Sequence, residues 1–300
     1  MTRYLDPKND LTFKRIFGEH KHLCMSLLNS MLPLDNPIVS IEYLPAELTP
    51  EIPEKKNSIV DVRCTDQVGR QFIVEMQMYW TDSFTSRVLF NASKAYVKQL
   101  DRGRNYELLQ PVYALAFVNE IFETEKPNEY YHHYKVVNIK DTGKQIKGLE
   151  FVFIELPKFK PGNKGEKKLH ELWLRFLTEI KDATREVPEE LMQDIDTREA
   201  LRYLEEGAYT DAEMYLYDKY WDVISTEKTL LSGKQREGLA KGLVEGRAEG
   251  LAEGKAERIA LETALEKKDA ELEKEKAERQ ALEAKIAALE NLMSKDRETS

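Results

Sequence analysis

The chain has 300 residues, of which 41% are hydrophobic, and a formal net charge of -9. This length provides one or two domains with a sizeable core, plus extensions. The two cysteines, Cys24 and Cys64, lie in apolar surroundings without metal-ligand spacing or an obvious partner, which predicts that both are reduced packing residues. No apolar run approaches the roughly 20 residues that span a bilayer. The polar N-terminus has no signal-peptide pattern, so we expect a cytoplasmic protein without a membrane partner.

The negative charge is concentrated in the C-terminal part of the chain. Residues 181–300 contain 20 Lys and Arg against 30 Asp and Glu, whereas residues 1–180 contain 25 against 24. Basic residues of the neutral part could gather on one face and neutralise phosphates, although each alone is more typical of a solubilising charge. The candidates are Lys14, Arg15, Arg63, Arg70, Arg87, Lys94, Lys98, Arg102 and Arg104.

The first predicted element is a helix over residues 10–31, because apolar residues recur at helical spacing after Asp10. Asn9 and Asp10 directly precede the apolar run, so Asp10 is also a candidate N-cap. A first strand is predicted over residues 38–44, followed by a proline-bearing connection over residues 45–53.

The next element is a hairpin formed by residues 59–64 and 72–78. Gly69 suits the left-handed position that closes a three-residue loop built on a type I turn. If Asp66 and Arg70 flank that loop, the register of the hairpin is fixed.

In that register, the hairpin places Asp61 opposite Glu75, and the two-residue side-chain period places Gln77 on the same face as Glu75. Opposed residues have Cβ atoms about 4.5–5.5 Å apart, so two carboxylates there repel each other unless a cation lies between them. A hard divalent cation would satisfy them. The alternatives are a solvated strand pair whose acids point to water, or one acid that stays protonated.

The second part of the predicted sheet begins with a helix over residues 82–102 and a buried strand over residues 112–118. A helix followed by a buried strand indicates a parallel crossover added to an antiparallel hairpin, and therefore a mixed sheet. Two more strands are predicted over residues 134–139 and 149–156, before a lysine-rich loop around residues 161–165.

The remainder of the chain has helical periodicity from Lys168 onward. Its aromatic residues occur at helical spacing, which is more typical of a core than of base stacking. We expect these helices to pack on the sheet or to form a small accessory domain.

The tail contains two helical patterns. Five glycines recur every four residues from Gly238 to Gly254, and in a helix they would form a stripe where two helix backbones approach closely. The alternative is a flexible linker. Residues 258–294 have coiled-coil spacing, interrupted at Lys268, Glu275 and Arg279. Self-association is predicted, with a solitary solvated helix as the alternative.

Three segments follow one another in a fixed order: Asp6 to Gly18, Glu75-Met76-Gln77 with Asp61 before it, and Gln110 to Tyr113. Together they resemble the recombination-promoting nuclease (Rpn) family of the PD-(D/E)XK nuclease superfamily, whose members are often described as transposases. The resemblance covers about the first 160 residues and extends to the glycine-rich tail. It implies an α/β fold with a restriction-endonuclease-like αβββαβ core and a mixed sheet, followed here by C-terminal helices and a coiled-coil tail.

The resemblance also implies a catalytic site made of Asp61, Glu75 and Gln77, joined by Asp10 from the first helix. Mg²⁺, or Mn²⁺ in its place, would be held by Asp61, Glu75, the carbonyl of Met76 and Asp10. Gln77 departs from the pattern because a lysine usually occupies that position, and an amide cannot neutralise a phosphate. Either Arg87 or Lys94 on the next helix reaches the site, or activity is reduced. The expected substrate contacts are Lys14, Arg87, Lys94 and Gln99.

These features predict a metal-dependent DNA endonuclease that forms a homodimer through its C-terminal helix. The alternative is a catalytically weakened DNA-binding or regulatory module that oligomerises through the coiled coil. We expect four parts: a nuclease-like domain over residues 1–165, a helical extension over 166–230, a glycine-rich repeat over 231–257 and a coiled coil over 258–300.

Overall fold

The structure is a computed structural model that describes residues 3–48, 58–100, 105–162 and 168–298. Contacts divide the chain into two units, residues 1–228 and residues 229–300. Parts of the predicted proline-bearing connection and of the lysine-rich loop lie outside the described residues, as do Arg102 and Arg104.

The N-terminal segment forms two helices, so the prediction of one helix over residues 10–31 was wrong. Helix α1 spans Asp10–Glu19 and helix α2 spans Lys21–Met31. His20 between them has an extended backbone, and its ring Nδ1 donates to the Arg15 carbonyl oxygen at 2.8 Å. The His20 ring also lies against Tyr203, with 3.8 Å between ring centroids. Tyr203, which is distant in the sequence, therefore contacts the residue that separates the two helices.

A six-stranded mixed sheet forms the centre of the first unit, in the order β1-β4-β5-β6-β8-β7. Strands β5, β6 and β8 are parallel, whereas the β1-β4, β4-β5 and β7-β8 pairs are antiparallel. A separate pair joins β2 to β3. The strands are β1 Ile41–Tyr43, β2 Glu47–Leu48, β3 Ser58–Ile59, β4 Val62–Asp66, β5 Gln71–Gln77, β6 Val112–Val118, β7 Tyr131–Asn138 and β8 Asp141–Glu155.

The boundaries of several elements differ from the prediction. Strand β1 is shorter than residues 38–44 because the Asn29 side chain bonds both the N–H and the carbonyl of Ile38. Helix α3 spans Asp82–Val97 and so ends before residue 102. Strand β7 begins three residues before the predicted residue 134, because Tyr131, His132 and His133 already pair with β8 in the sheet. Strand β8 begins eight residues before the predicted residue 149, because it continues beyond the sheet as a hairpin with β7.

Hydrophobic side chains cover both faces of the sheet. Phe72 and Val74 of β5 belong to a core cluster with α1, α2 and α4 (Lys168–Glu179). Ile73 belongs to a second cluster with α3 and strand β6. This alternation confirms that the face of β5 opposite Glu75 and Gln77 is apolar.

The helices after the sheet bury their aromatic residues. They are α4, α5 (Glu189–Gln193), α6 (Ile195–Arg202) and α7 (Asp211–Glu298). Trp173 of α4 and Tyr217 at the beginning of α7 are almost completely buried. Packing, rather than base stacking, therefore accounts for these two aromatic residues.

The second unit continues α7 as a helix through the glycine-rich segment to Glu298. No atom lies within 4 Å of the position that a Cβ would take at the glycines from Gly238 to Gly254, so this helix surface is open. None of the helices in the described ranges is both long enough and apolar enough to cross a bilayer.

Candidate active site

The turn between β4 and β5 has the geometry that the sequence predicts. Gly69 has a left-handed backbone with φ 87°, and the Asp66 N–H donates to the Arg70 carbonyl oxygen at 3.0 Å. The Asp66 carboxylate accepts from the N–H groups of Val68 and Arg70 and pairs with Arg70 Nε at 2.6 Å. These contacts lock the loop and, with it, the register of the hairpin.

The predicted register is present in the sheet. Val62 pairs with Val74, so Asp61 stands one position beyond the last paired residue of β4, beside Glu75. Asp61 Oδ2 accepts from the Met76 N–H at 2.7 Å. This hydrogen bond holds Oδ2 of the Asp61 carboxylate against the backbone at the end of β5.

The Asp61 carboxyl lies near two other acids. Its side chain is 22% exposed. Burial, together with the charges of Glu75 and Asp10, raises the pKa of Asp61 to about 7, against the opposing effects of the Met76 N–H and Lys14. The ionised Asp61 carboxylate is therefore repelled by Glu75 and Asp10, and additional positive charge would stabilise it.

Glu75 is buried and has two polar partners on α3. Asn91 Nδ2 donates to Oε1 at 3.0 Å, and Arg87 Nη2 lies 3.5 Å from Oε2. Burial raises the pKa of Glu75, although Arg87 and Asn91 act in the opposite direction. Asn91 is not among the site residues predicted from the sequence. The sequence contains one indication of its position, because Asn91 follows Arg87 by four residues and this spacing puts both side chains on one face of α3.

Gln77 connects the end of β5 to Arg87. Arg87 Nη2 donates to Gln77 Oε1 at 2.6 Å, and Gln77 Nε2 donates to the Tyr79 carbonyl oxygen at 2.6 Å. Of the two basic residues considered as replacements for the missing lysine, Arg87 is therefore the one that contacts both Glu75 and Gln77. Its guanidinium is about half exposed and so remains accessible to a phosphate.

Helix α1 contributes one acid and one base to this region. Lys14 Nζ lies 2.6 Å from Asp10 Oδ1 and 3.9 Å from Asp61 Oδ1. The side chain that caps the helix belongs to Asn9, which accepts from the Leu11 N–H, so the Asp10 carboxylate is not needed as the cap.

A tyrosine from the beginning of α7 also lies near these acids. Burial, followed by the charges of Asp10 and Asp61, raises the pKa of the Tyr220 phenol. Sequence reasoning missed Tyr220, because no local pattern relates residue 220 to residues 10 and 61.

The other two predicted substrate contacts bond to protein groups elsewhere. Lys94 Nζ donates to the Leu48 carbonyl oxygen at 2.7 Å and lies over the Phe90 ring. The Gln99 amide forms two hydrogen bonds of 2.9 Å with the backbone of Gln110. The structure therefore brings Lys14 and Arg87 to the carboxylates and uses Lys94 and Gln99 in other contacts.

Several other basic candidates have structural partners. Arg70 is buried against Asp66, and Arg63 is buried with Nη2 donating to Gln71 at 2.9 Å. Arg15 lies over the Tyr209 ring. These arginines do not form a basic surface beside the site.

The donor set suits a hard divalent cation. Within the described residues, no three His, Cys, Asp or Glu side chains form a cluster that could hold a metal ion by themselves. Mg²⁺ commonly takes only one or two carboxylates and fills its other positions with water and substrate phosphate. Asp61 and Glu75 can provide this number. Burial raises the pKa of both carboxyl groups, so a nearby cation would stabilise their ionised forms.

A mixed α/β sheet that presents an Asp and a Glu beside each other on a β-hairpin is the architecture of a PD-(D/E)XK-type nuclease. The sequence model of the PD-(D/E)XK nuclease family transposases matches residues 7–232, and the chain belongs to this family. This match confirms the resemblance identified from the sequence. No curated protein and no solved structure matches the chain.

Proposed function

We propose that this chain is a metal-dependent endonuclease that hydrolyses phosphodiester bonds in DNA. The observation that supports this proposal best is the pairing of Asp61 with Glu75 beside an arginine that contacts Gln77. Membership of a nuclease family of transposases implies a DNA-processing function. We also propose which residues form the site, which metal they bind and which reaction they catalyse.

Asp61 and Glu75 would hold Mg²⁺ or Mn²⁺, with Asp10 and the Met76 carbonyl as further ligands. When bound, the cation supplies positive charge to the scissile phosphate and increases the nucleophilicity of water. The Met76 N–H holds Asp61 in place, and Asn91 does the same for Glu75.

Arg87 would bind an oxygen of the scissile phosphate and supply the charge that Gln77 lacks. A guanidinium can donate two parallel hydrogen bonds to a phosphate, so the substitution of lysine by glutamine does not leave the site without a cation. Gln77 would orient Arg87 through their 2.6 Å hydrogen bond. Lys14 would exchange its contact with Asp10 for a phosphate.

A second function is supported by a specific observation. Lys14 and Arg87 already neutralise part of the charge on Asp10 and Glu75 without a metal. A chain that had lost turnover could use this arrangement as a DNA-binding or regulatory module. The coiled-coil tail would then recruit the partner or a second copy of the chain.

In either case, we propose a nuclease-like domain over residues 1–165, a helical extension over 166–230, a glycine-rich repeat over 231–257 and a coiled coil over 258–300. Self-association through the tail would give a homodimer. Two symmetric sites could then each cut one strand of a duplex.

The test is cleavage of supercoiled plasmid DNA by the full chain with Mg²⁺, Mn²⁺ or EDTA. Asp61→Asn and Glu75→Gln are the variants, and Glu107→Gln, which alters an exposed acid, is the matched control. Cleavage that requires the metal and is lost in the two variants but not in the control would support the endonuclease. DNA binding without cleavage above the variants would favour the second function.

A further inference from the structure

Strands β7 and β8 continue beyond the sheet as a two-stranded hairpin. Strand β8 begins at Asp141, but it pairs with β6 only from Leu149 onward. Residues 136–147 therefore have only each other as sheet partners. We call residues 135–148 the β7-β8 arm. Register shifts after Lys135 and after Val137 separate the arm from the regular ladder of the sheet.

The β7-β8 arm is basic in an acidic protein. It contains four lysines and one aspartate, whereas the whole chain has a net charge of -9. Lys144 pairs with Asp141 at 3.5 Å but stays 78% exposed. No carboxylate in the described part of the chain forms an ion pair with Lys140 or Lys147, and both side chains are exposed. Exposed lysines of this kind are suited to phosphates.

The β7-β8 arm exposes one isoleucine at its tip and another near its base, where Ile146 pairs with Val136. Ile139 is 91% exposed and Ile146 is 74% exposed. Asn138 Oδ1 accepts from the Lys140 N–H at 2.9 Å, which closes the turn and holds Ile139 outward. An isoleucine at the end of a basic hairpin is a suitable contact for base edges in a DNA groove, where apolar side chains bind or wedge between base steps.

The shape of the arm also fits a duplex. The major groove admits a two-stranded β-ribbon. Gln71, Val112 and Leu149 are level across the sheet, and so are Gln77, Val118 and Glu155. The arm therefore leaves the sheet at the end opposite Gln77. His132 of β7 is level with Glu75 across the sheet, and Ile139 follows it by seven residues. At roughly 3.3 Å per residue, the tip is therefore about 23 Å from the level of Glu75 along the strands. At about 3.4 Å per pair, this distance corresponds to about seven base pairs of DNA.

We infer that the β7-β8 arm binds duplex DNA about seven base pairs from the scissile phosphate, with its lysines on phosphates and Ile139 in a groove. This inference rests on the proposed function for the identity of the ligand. The arm holds the substrate and takes no part in the chemical step.

The test measures DNA binding by the full-length Asp61→Asn protein in EDTA, so that cleavage does not interfere. The probe is a fluorescent mixed-sequence duplex of about 40 base pairs, which at about 3.4 Å per pair exceeds the distance from arm to site. The added changes are K140Q/K144Q/K147Q in the arm or K160Q/K168Q/K181Q at exposed lysines outside it. Both triple variants alter the net charge equally.

Each lost phosphate contact reduces the magnitude of the slope of log affinity against log salt by about 0.9. The slope of the arm variant should therefore be smaller in magnitude by about 2 to 3 than that of the Asp61→Asn protein. Its affinity near about 0.1 M salt should fall on the order of 100-fold, while the control variant keeps the slope. Ile139→Ser should lower the affinity at every salt concentration without altering the slope, because isoleucine contacts no phosphate.

Equal slopes in the arm and control variants would overturn the inference, as would an Asp61→Asn protein that does not bind the duplex. If Ile139→Ser instead alters the sedimentation coefficient and leaves DNA binding intact, the arm is a contact between copies of the chain, which also overturns it. Plasmid cleavage by the unmodified chain is measured separately. A nuclease that does not use its arm can therefore be distinguished from a DNA-binding protein that does not cut.

Discussion

Arg87 Nη2 donates to Gln77 Oε1 at 2.6 Å, across the space between α3 and the end of β5. The PD-(D/E)XK motif ends in lysine at the position of Gln77, and this contact brings a cation from the helix to the end of a strand that carries an amide there. In the proposed function, Arg87 supplies the charge that Gln77 lacks.

Replacing Arg87 by alanine should therefore reduce cleavage severely. Loss of one donor that stabilises developing charge typically costs 10²–10³ in rate, and we expect a loss on the order of 100-fold. The measurement is the single-turnover rate on a linear duplex at saturating protein. Arg185→Ala, which removes an exposed arginine elsewhere, should cleave normally. Cleavage by Arg87→Ala at the rate of the unmodified chain would contradict this role.

Asp61 should destabilise the metal-free protein at alkaline pH. Burial raises its pKa in the folded protein to about 7, well above the usual pKa of an aspartate. The folded state therefore binds the proton more tightly than the unfolded state, and this stabilising contribution is lost as pH rises through about 7. In EDTA at about pH 8, Asp61→Asn should raise the free energy of unfolding by roughly 1–3 kcal/mol. The measurement is the Tm of both proteins.

Asp66→Asn is the opposite control on the same hairpin. Asp66 is buried in an ion pair with Arg70 and accepts two backbone N–H groups, so its charge is compensated. This substitution should lower the Tm at about pH 8, because an amide cannot replace a buried carboxylate beside an arginine. If both variants lower the Tm equally, the Asp61 charge is not destabilising in the folded protein.

Added Mg²⁺ should stabilise the chain through the same acids. A ligand that binds only the folded state adds about 2.7 kcal/mol at 100 times its Kd. The Tm at alkaline pH should rise with Mg²⁺ concentration in the unmodified chain and stay constant in Asp61→Asn and Glu75→Gln. Glu107→Gln should respond as the unmodified chain does. An equal rise in all four proteins would place the cation elsewhere.

The tail should determine the number of strands cut. Residues 1–228 form a compact unit with their own core, so a chain truncated after residue 230 should remain folded. If residues 231–300 dimerise the protein, the truncated chain should have the mass of a monomer by light scattering. It should nick supercoiled DNA and make fewer double-strand breaks. A full-length chain that is already monomeric would contradict the predicted homodimer.

Local chemistry was enough to predict the hairpin and the acid pair. Gly69 specifies the loop, the loop sets the register, and the register puts Asp61 beside Glu75. The positions of the basic side chains were less predictable, because a sequence does not reveal which arginine is buried. Arg63 and Arg70 were candidates for phosphate contacts, but they bond to Gln71 and Asp66 inside the hairpin.

Features that depend on distant contacts could not be predicted. The break after α1 involves the ring of Tyr203, and Tyr220 reaches the acids from the last helix. The position of Asn91 could be predicted in part. Its spacing from Arg87 is visible in the sequence, but its contact with Glu75 depends on the packing of α3 against β5. The β7-β8 arm was missed because strand periodicity does not show where the neighbouring strand ends.

The proposal that Arg87 supplies the charge of the motif lysine can be tested by placing a lysine at position 77. Gln77→Lys alone should not raise the cleavage rate, because the new ammonium would stand beside the Arg87 guanidinium, and two like charges so close repel each other. In the Arg87→Ala protein the same substitution should recover much of the lost rate. The two changes would then be strongly non-additive, as expected for residues that share one task. Gln77→Met, which adds no charge, should give no recovery in the Arg87→Ala protein. If Gln77→Lys increases cleavage equally with and without Arg87, the guanidinium does not occupy the role of the lysine, and its contact with Gln77 only positions the side chain of α3.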